Sequence, residues 1–118
     1  MATAPRPTQI KLQTRSRCLE LSYSETEKYP LSYEFLRVLS PSAEVRGHGP
    51  GSAVLQTGKK DVTITLIEPA GNYALKITYS DGHDSGLYTW DYLYDLCCNE
   101  EAYWKDYLQQ LEAAGESR

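Results

Sequence analysis

Two histidines and three cysteines are the side chains in this 118-residue chain best suited to metal or nucleophile chemistry. His83 stands in Asp81-Gly82-His83-Asp84-Ser85-Gly86, where an imidazole beside carboxylates can relay a proton or bind a metal. His48 stands in the glycine-rich run Arg46-Gly47-His48-Gly49-Pro50-Gly51. Two imidazoles with Asp81 or Asp84 could hold iron or zinc, provided the two loops converge. The spacing itself favours a plain solvated turn at His83, because Asp81 and Gly82 are turn formers. The His-x-Asp/Glu pattern of non-haem iron sites is absent, since Asp84 adjoins His83 and their side chains diverge. The glycine run is no phosphate loop either: it lacks a Gly-Lys-Ser/Thr ending and a helix directly after it. Its glycines supply backbone freedom, and a ligand contact by Arg46 or His48 stays open.

Cys18, Cys97 and Cys98 are odd in number and two are adjacent, a poor disulfide framework that points to a reducing compartment, the cytoplasm. They show no CxxC spacing, so zinc or redox chemistry there has little support. No nucleophile can be assigned to His83 from spacing, so the chain is not expected to be an enzyme. Aromatic density is the other signal. Tyr88, Trp90, Tyr92, Tyr94, Tyr103, Trp104 and Tyr107 crowd two helical segments, and a short helix cannot turn every ring inward. Rings left at the surface are typical protein-binding anchors. Tyr88, Trp90, Tyr92 and Tyr94, with Arg46 at the rim, are the candidate interaction residues.

Composition narrows the partners. The chain is 41% hydrophobic and 24% charged, with net charge −4 and pI about 5.1. Such an acidic domain repels a phosphate backbone, which argues against nucleic acid. No apolar run approaches the roughly 18 residues a membrane span needs, and Met1–Pro7 has no signal-peptide core. Arg6, Lys11, Arg15 and Arg17 without an acid faintly suggest a transit peptide. The alternation of Ile10, Leu12 and Thr14 with Lys11 and Gln13 is better read as a strand.

The elements that must position these residues come in two copies. Leu19-Glu20-Leu21-Ser22-Tyr23-Ser24-Glu25 matches Leu75-Lys76-Ile77-Thr78-Tyr79-Ser80-Asp81, each a half-buried strand. Leu31 then falls on Leu87, and Tyr33-Glu34-Phe35-Leu36 falls on Trp90-Asp91-Tyr92-Leu93 in helical spacing. Upstream partners at Gln9–Thr14 and Val62–Ile67 complete two hairpins. The unit is strand, turn, strand, loop, short helix, whether by duplication or by chance likeness. The fold class is therefore α+β: a small two-layer domain whose two units share a mostly antiparallel sheet, plus a C-terminal helix. Asn99 is placed to cap that helix, Trp104, Tyr107, Leu108 and Leu111 form its apolar stripe, and Gly115 ends it. Residues 1–8 read as a flexible start, 9–113 as one domain and 114–118 as a frayed tail. Ser40–Lys60 reads as a connecting loop with at most a short strand near Val54-Leu55.

Three stretches carry a family resemblance: Leu36 to Gly51, Glu68 to Tyr73, and Asp81 to Leu93. In this order they resemble the gamma-butyrobetaine-hydroxylase-like N-terminal domain, long catalogued as a domain of unknown function. The likeness runs from about Gln9 to the last helix. It implies a small α+β fold in a stand-alone bacterial form, without the dioxygenase domain that carries activity in fused relatives. In the hydroxylases this domain holds a structural zinc through three cysteines and one histidine. The histidine matches His83, and the cysteine positions fall on Ser40, Ser42 and Val45, which cannot replace thiolates. The resemblance thus implies a lost zinc site, leaving packing alone to hold the halves together. Fusions to iron–sulfur carrier ATPases and to oxygenases imply those partner classes.

Two readings follow. The first is a non-enzymatic accessory module that docks on a protein partner, in a setting of iron or iron–sulfur metabolism, and requires no cofactor. The alternative is a metal-binding protein that uses His83 and His48 for iron or zinc.

Overall fold

The computed structural model describes residues 6–41, 55–84 and 86–118. The element order is β1 (Gln9–Gln13), β2 (Cys18–Ser22), β3 (Lys28–Ser32), α1 (Tyr33–Val38), β4 (Ile64–Ala70), β5 (Ala74–Tyr79), β6 (Leu87–Thr89), α2 (Trp90–Cys98) and α3 (Glu100–Ala114). The α+β class and the twofold unit hold, but each unit has a third strand in what the sequence suggests is a loop. The strands form two separate three-stranded antiparallel sheets, β1-β2-β3 and β4-β5-β6, rather than one shared sheet. The short third strands explain the separation. Each pairs with its own unit's central strand, so the two units join through side chains instead of a hydrogen-bonded edge.

The units agree in register. Cys18, Leu19 and Glu20 of β2 face Ser32, Leu31 and Pro30 of β3. Ala74, Leu75 and Lys76 of β5 face Thr89, Tyr88 and Leu87 of β6 in the same pattern. Leu31 therefore corresponds to Tyr88, not to Leu87. Both helices start alike: the Ser32 hydroxyl accepts from the Phe35 amide at 3.0 Å, and the Thr89 hydroxyl from the Tyr92 amide at 3.1 Å. Each satisfies one of the four amides that a helix start leaves unpaired. Pro30 and Pro69 both lie in edge strands, where a missing N–H costs no ladder bond.

Leu19 and Leu21 from one sheet and Leu75, Ile77 and Tyr79 from the other enter a single core. Phe35 and Leu36 of α1 and Leu93 and Leu96 of α2 close it. Trp104, Tyr107 and Leu111 of α3 pack on α1, whereas Leu108 stays 39% exposed. Asn99 takes the cap position of α3 but does not cap it. As the single residue between two helices it turns its amide back to Asp95, donating to the backbone oxygen at 3.0 Å and to Oδ1 at 2.9 Å. Gly115, at φ +68°, ends α3 as expected, with the Glu116 amide donating to the Leu111 carbonyl at 2.9 Å. Among the described residues no helix is long and apolar enough to cross a membrane.

Candidate functional site

Ser40, Asp81 and His83, which the sequence singles out, meet where the two units join, and Arg37 joins them there. The end of α1 supplies Arg37 and Ser40, and the turn after β5 supplies Asp81 and His83. Gly82, at φ +87°, lets that turn close with its amide donating to the Tyr79 carbonyl at 3.0 Å. Asp81 Oδ1 accepts from the His83 amide at 3.2 Å, which fixes the imidazole's direction. His83 Nε2 then lies 2.8 Å from Ser40 Oγ. Arg37, only 6% exposed, donates from Nε to Asp81 Oδ2 at 3.0 Å and from Nη1 to Gln56 Oε1 at 3.1 Å. Lys59 Nζ adds a second cation to Asp81 Oδ2 at 2.9 Å. Burial alone would raise the Asp81 carboxyl. The bonds from Lys59, the His83 amide and Arg37 outweigh it and hold the pKa at about 2.

A second layer of the junction is aromatic. The hydroxyls of Tyr79 and Tyr88 lie 2.6 Å apart, and Tyr88 donates to the Leu36 carbonyl at 2.6 Å. Tyr92 donates likewise to the Leu39 carbonyl. Two tyrosines of the second unit thereby satisfy carbonyls that the last turn of α1 leaves unpaired. Burial drives the Tyr79 and Tyr88 hydroxyls well above the usual phenol range, so both stay protonated. Tyr88 is fully buried. That corrects its assignment as a surface anchor: its ring fills the core position that Leu31 fills in the first unit.

Trp90 and Tyr94 differ. They are four residues apart on α2, so they share one face, and each stays partly exposed. The Trp90 indole donates to the Asn72 carbonyl at 2.8 Å, and the Arg6 guanidinium lies over its ring at 5.0 Å. Tyr94 donates to Glu27 at 3.2 Å and stands edge-on to Tyr23 at 5.0 Å. Leu93 and Cys97, three and seven residues on from Trp90, lie on the same side of α2 and are buried together with Leu96, so Trp90 and Tyr94 stand at the margin of the helix's buried face. Burial pushes the Cys97 thiol up to about 12 although the Tyr23 hydroxyl pulls the other way; Cys98, next in sequence, is exposed.

A family model described as gamma-butyrobetaine hydroxylase-like, N-terminal, matches residues 10–94, both units through most of α2. The chain belongs to this family. Two proteins with solution NMR structures are similar to this gamma-butyrobetaine hydroxylase-like domain. One is 53% identical, with TM-score 0.85, covering 98% of this chain and 90% of the other. The second is 50% identical, with TM-score 0.83, covering 100% and 88%. A crystal structure of a protein with unknown function from Acidithiobacillus ferrooxidans, assigned to the DUF971 family, is 33% identical. It has TM-score 0.64 and covers 77% of this chain and 91% of the other. Comparison with curated proteins gives no match.

For a member of this family, Ser40 is the informative position. The resemblance aligned it with a zinc-ligating cysteine, and it does lie against His83. A hydroxyl and one imidazole are not the donor set zinc takes, so these residues do not fit the metal. Among the described residues no three or more His, Cys, Asp or Glu side chains converge as a metal site. His48 and Arg46 lie outside the described residues, as do Ser42, Val45 and Val54.

The pairing of Ser40 with His83 also supplies what spacing did not, a hydroxyl within reach of a base. Ser40 is 1% exposed and His83 6%. Arg37, Gln56 and Lys59 of this junction escaped sequence reasoning. A basic residue in the last turn of an amphipathic helix reads as solvated, and only the position of Asp81 in space says otherwise.

Proposed function

We propose that this domain is a non-enzymatic protein-docking module whose partner engages α2 at Trp90 and Tyr94, along the margin of its buried face. One observation carries the reading: both rings are partly exposed while their polar tips are tied down to Asn72 and Glu27. A ring already fixed in place loses little rotamer freedom when a partner covers it, which is the character of a binding hot spot. The polar groups with chemical potential are instead turned inward and used as structure. Iron–sulfur carrier ATPases and oxygenases are the partner classes offered by the family resemblance, in a setting of iron metabolism. Three free cysteines suit a cytoplasmic location.

The test is retention of a partner from native lysate by the wild-type chain and by a Trp90→Ala/Tyr94→Ala double variant. The reading expects a discrete partner held by the first and lost, by at least about tenfold, from the second. Equal retention by both, or none by either, contradicts it.

A further inference from the structure

Glu34, in the first turn of α1, has a side chain only 7% exposed. A carboxylate that far from water requires a cation. It has one in Arg118, whose Nη2 lies 2.6 Å from Oε1 and whose Nε lies 3.0 Å from Oε2. The two parallel bonds are the fork geometry of a guanidinium on a carboxylate. The same guanidinium lies over the Trp104 ring at 5.3 Å. Trp104 is itself fixed edge-on by Phe35, at 6.2 Å, and against Tyr107, at 5.2 Å. A fixed carboxylate beside a fixed aromatic face selects a planar guanidinium over the compact ammonium of lysine.

The two halves of this contact are unequally built. Glu34 and Trp104 belong to packed helices. Arg118 lies beyond Gly115, in a stretch without helix or strand, and its side chain is 45% exposed. Releasing Arg118 takes no side chain out of the core, yet it leaves Glu34, 7% exposed while Arg118 covers it, without its cation and able to take another.

We propose that Glu34 and Trp104 form a binding site for the arginine side chain of a partner polypeptide, which Arg118 fills in cis as a tethered competitor. The site lies apart from Trp90 and Tyr94 and does not depend on the docking role given to them. The probe is N-acetyl-arginine amide, titrated into the ¹⁵N-labelled full chain while the Trp104 indole resonance is followed. The Arg118→Ala variant is expected to show a saturable shift. The wild type should need roughly tenfold more probe or beyond, because a tethered group competes at millimolar effective concentration. Arg118→Ala/Glu34→Gln and the lysine amide should give no saturable shift. No saturation in Arg118→Ala, or an equal response to lysine or in the Glu34→Gln background, overturns the proposal. Should Arg118→Ala be too unstable for spectra, its thermal midpoint serves instead. Arginine amide should raise the midpoint where lysine amide does not, and equal effects of the two amides would overturn the proposal.

Discussion

Ser40 Oγ stands 2.8 Å from His83 Nε2, and that bond crosses from the end of α1 to the turn between β5 and β6. It is one of several bonds tying the units together, with Arg37 to Asp81, Tyr88 to the Leu36 carbonyl, and Arg17 Nη2 to the Val62 carbonyl at 3.1 Å. Packing alone does not hold the halves. The Ser40–His83 bond joins two of the positions where the family resemblance implies metal ligands.

Replacing Ser40 by alanine removes that bond from a buried imidazole. The expected cost is about 1–3 kcal/mol, read as a lower urea midpoint with an unchanged slope. A midpoint equal to wild type would show that the bond contributes nothing to stability.

Tyr88→Phe should be costly in a way that Tyr94→Phe is not. The first leaves the Tyr79 hydroxyl and the Leu36 carbonyl without their shared partner inside the core, at about 1–3 kcal/mol. The second loses a partly exposed bond to Glu27 and should stay within about 0.5 kcal/mol of wild type. Equal losses in denaturant titrations would contradict the division between core and surface tyrosines.

Asp81 gives the acid limb of stability a definite sign. Its carboxyl is held at about 2 in the folded chain against an ordinary 3.8, so its contribution is complete above the ordinary value and fades as pH falls toward 2. Asp81→Asn should therefore lower stability at neutral pH and flatten its decline below about pH 4. Urea midpoints across that window check it, and parallel declines for the two proteins would be the contrary result.

Thiol chemistry should separate Cys98 from the other two. Cys98 is exposed, whereas Cys18 and Cys97 are buried and the Cys97 thiol is pushed up to about 12. Iodoacetamide on the native chain should label Cys98 first, and mass mapping would contradict this if Cys97 reacted as fast.

The alternation of Leu19 with Leu21 and of Leu75 with Ile77 made the central strands legible, because each has one buried face. Ser32 and Thr89 likewise stand where a helix start needs an oxygen. The third strands were hidden: Lys28–Ser32 contains a proline and Leu87–Thr89 is three residues long. Neither shows a period of its own, and both exist because a central strand offers them an edge. The junction was half legible. His83 and Asp81 stand out by type, but Arg37 and Lys59 gain meaning only when the turn after β5 folds against the end of α1. Tyr88 was misplaced because the sequence groups it with the helical aromatics, whereas it lies in β6, where its ring enters the core and its hydroxyl reaches the Leu36 carbonyl.

The docking role rests on Trp90 and Tyr94 of α2, and a photo-crosslinking residue placed at Tyr94 in native lysate tests it most directly. Leu108, 39% exposed on α3, is the control position. The account predicts a discrete adduct with one protein from position 94 and none from position 108. No adduct from position 94, or the same adducts from both positions, would contradict it.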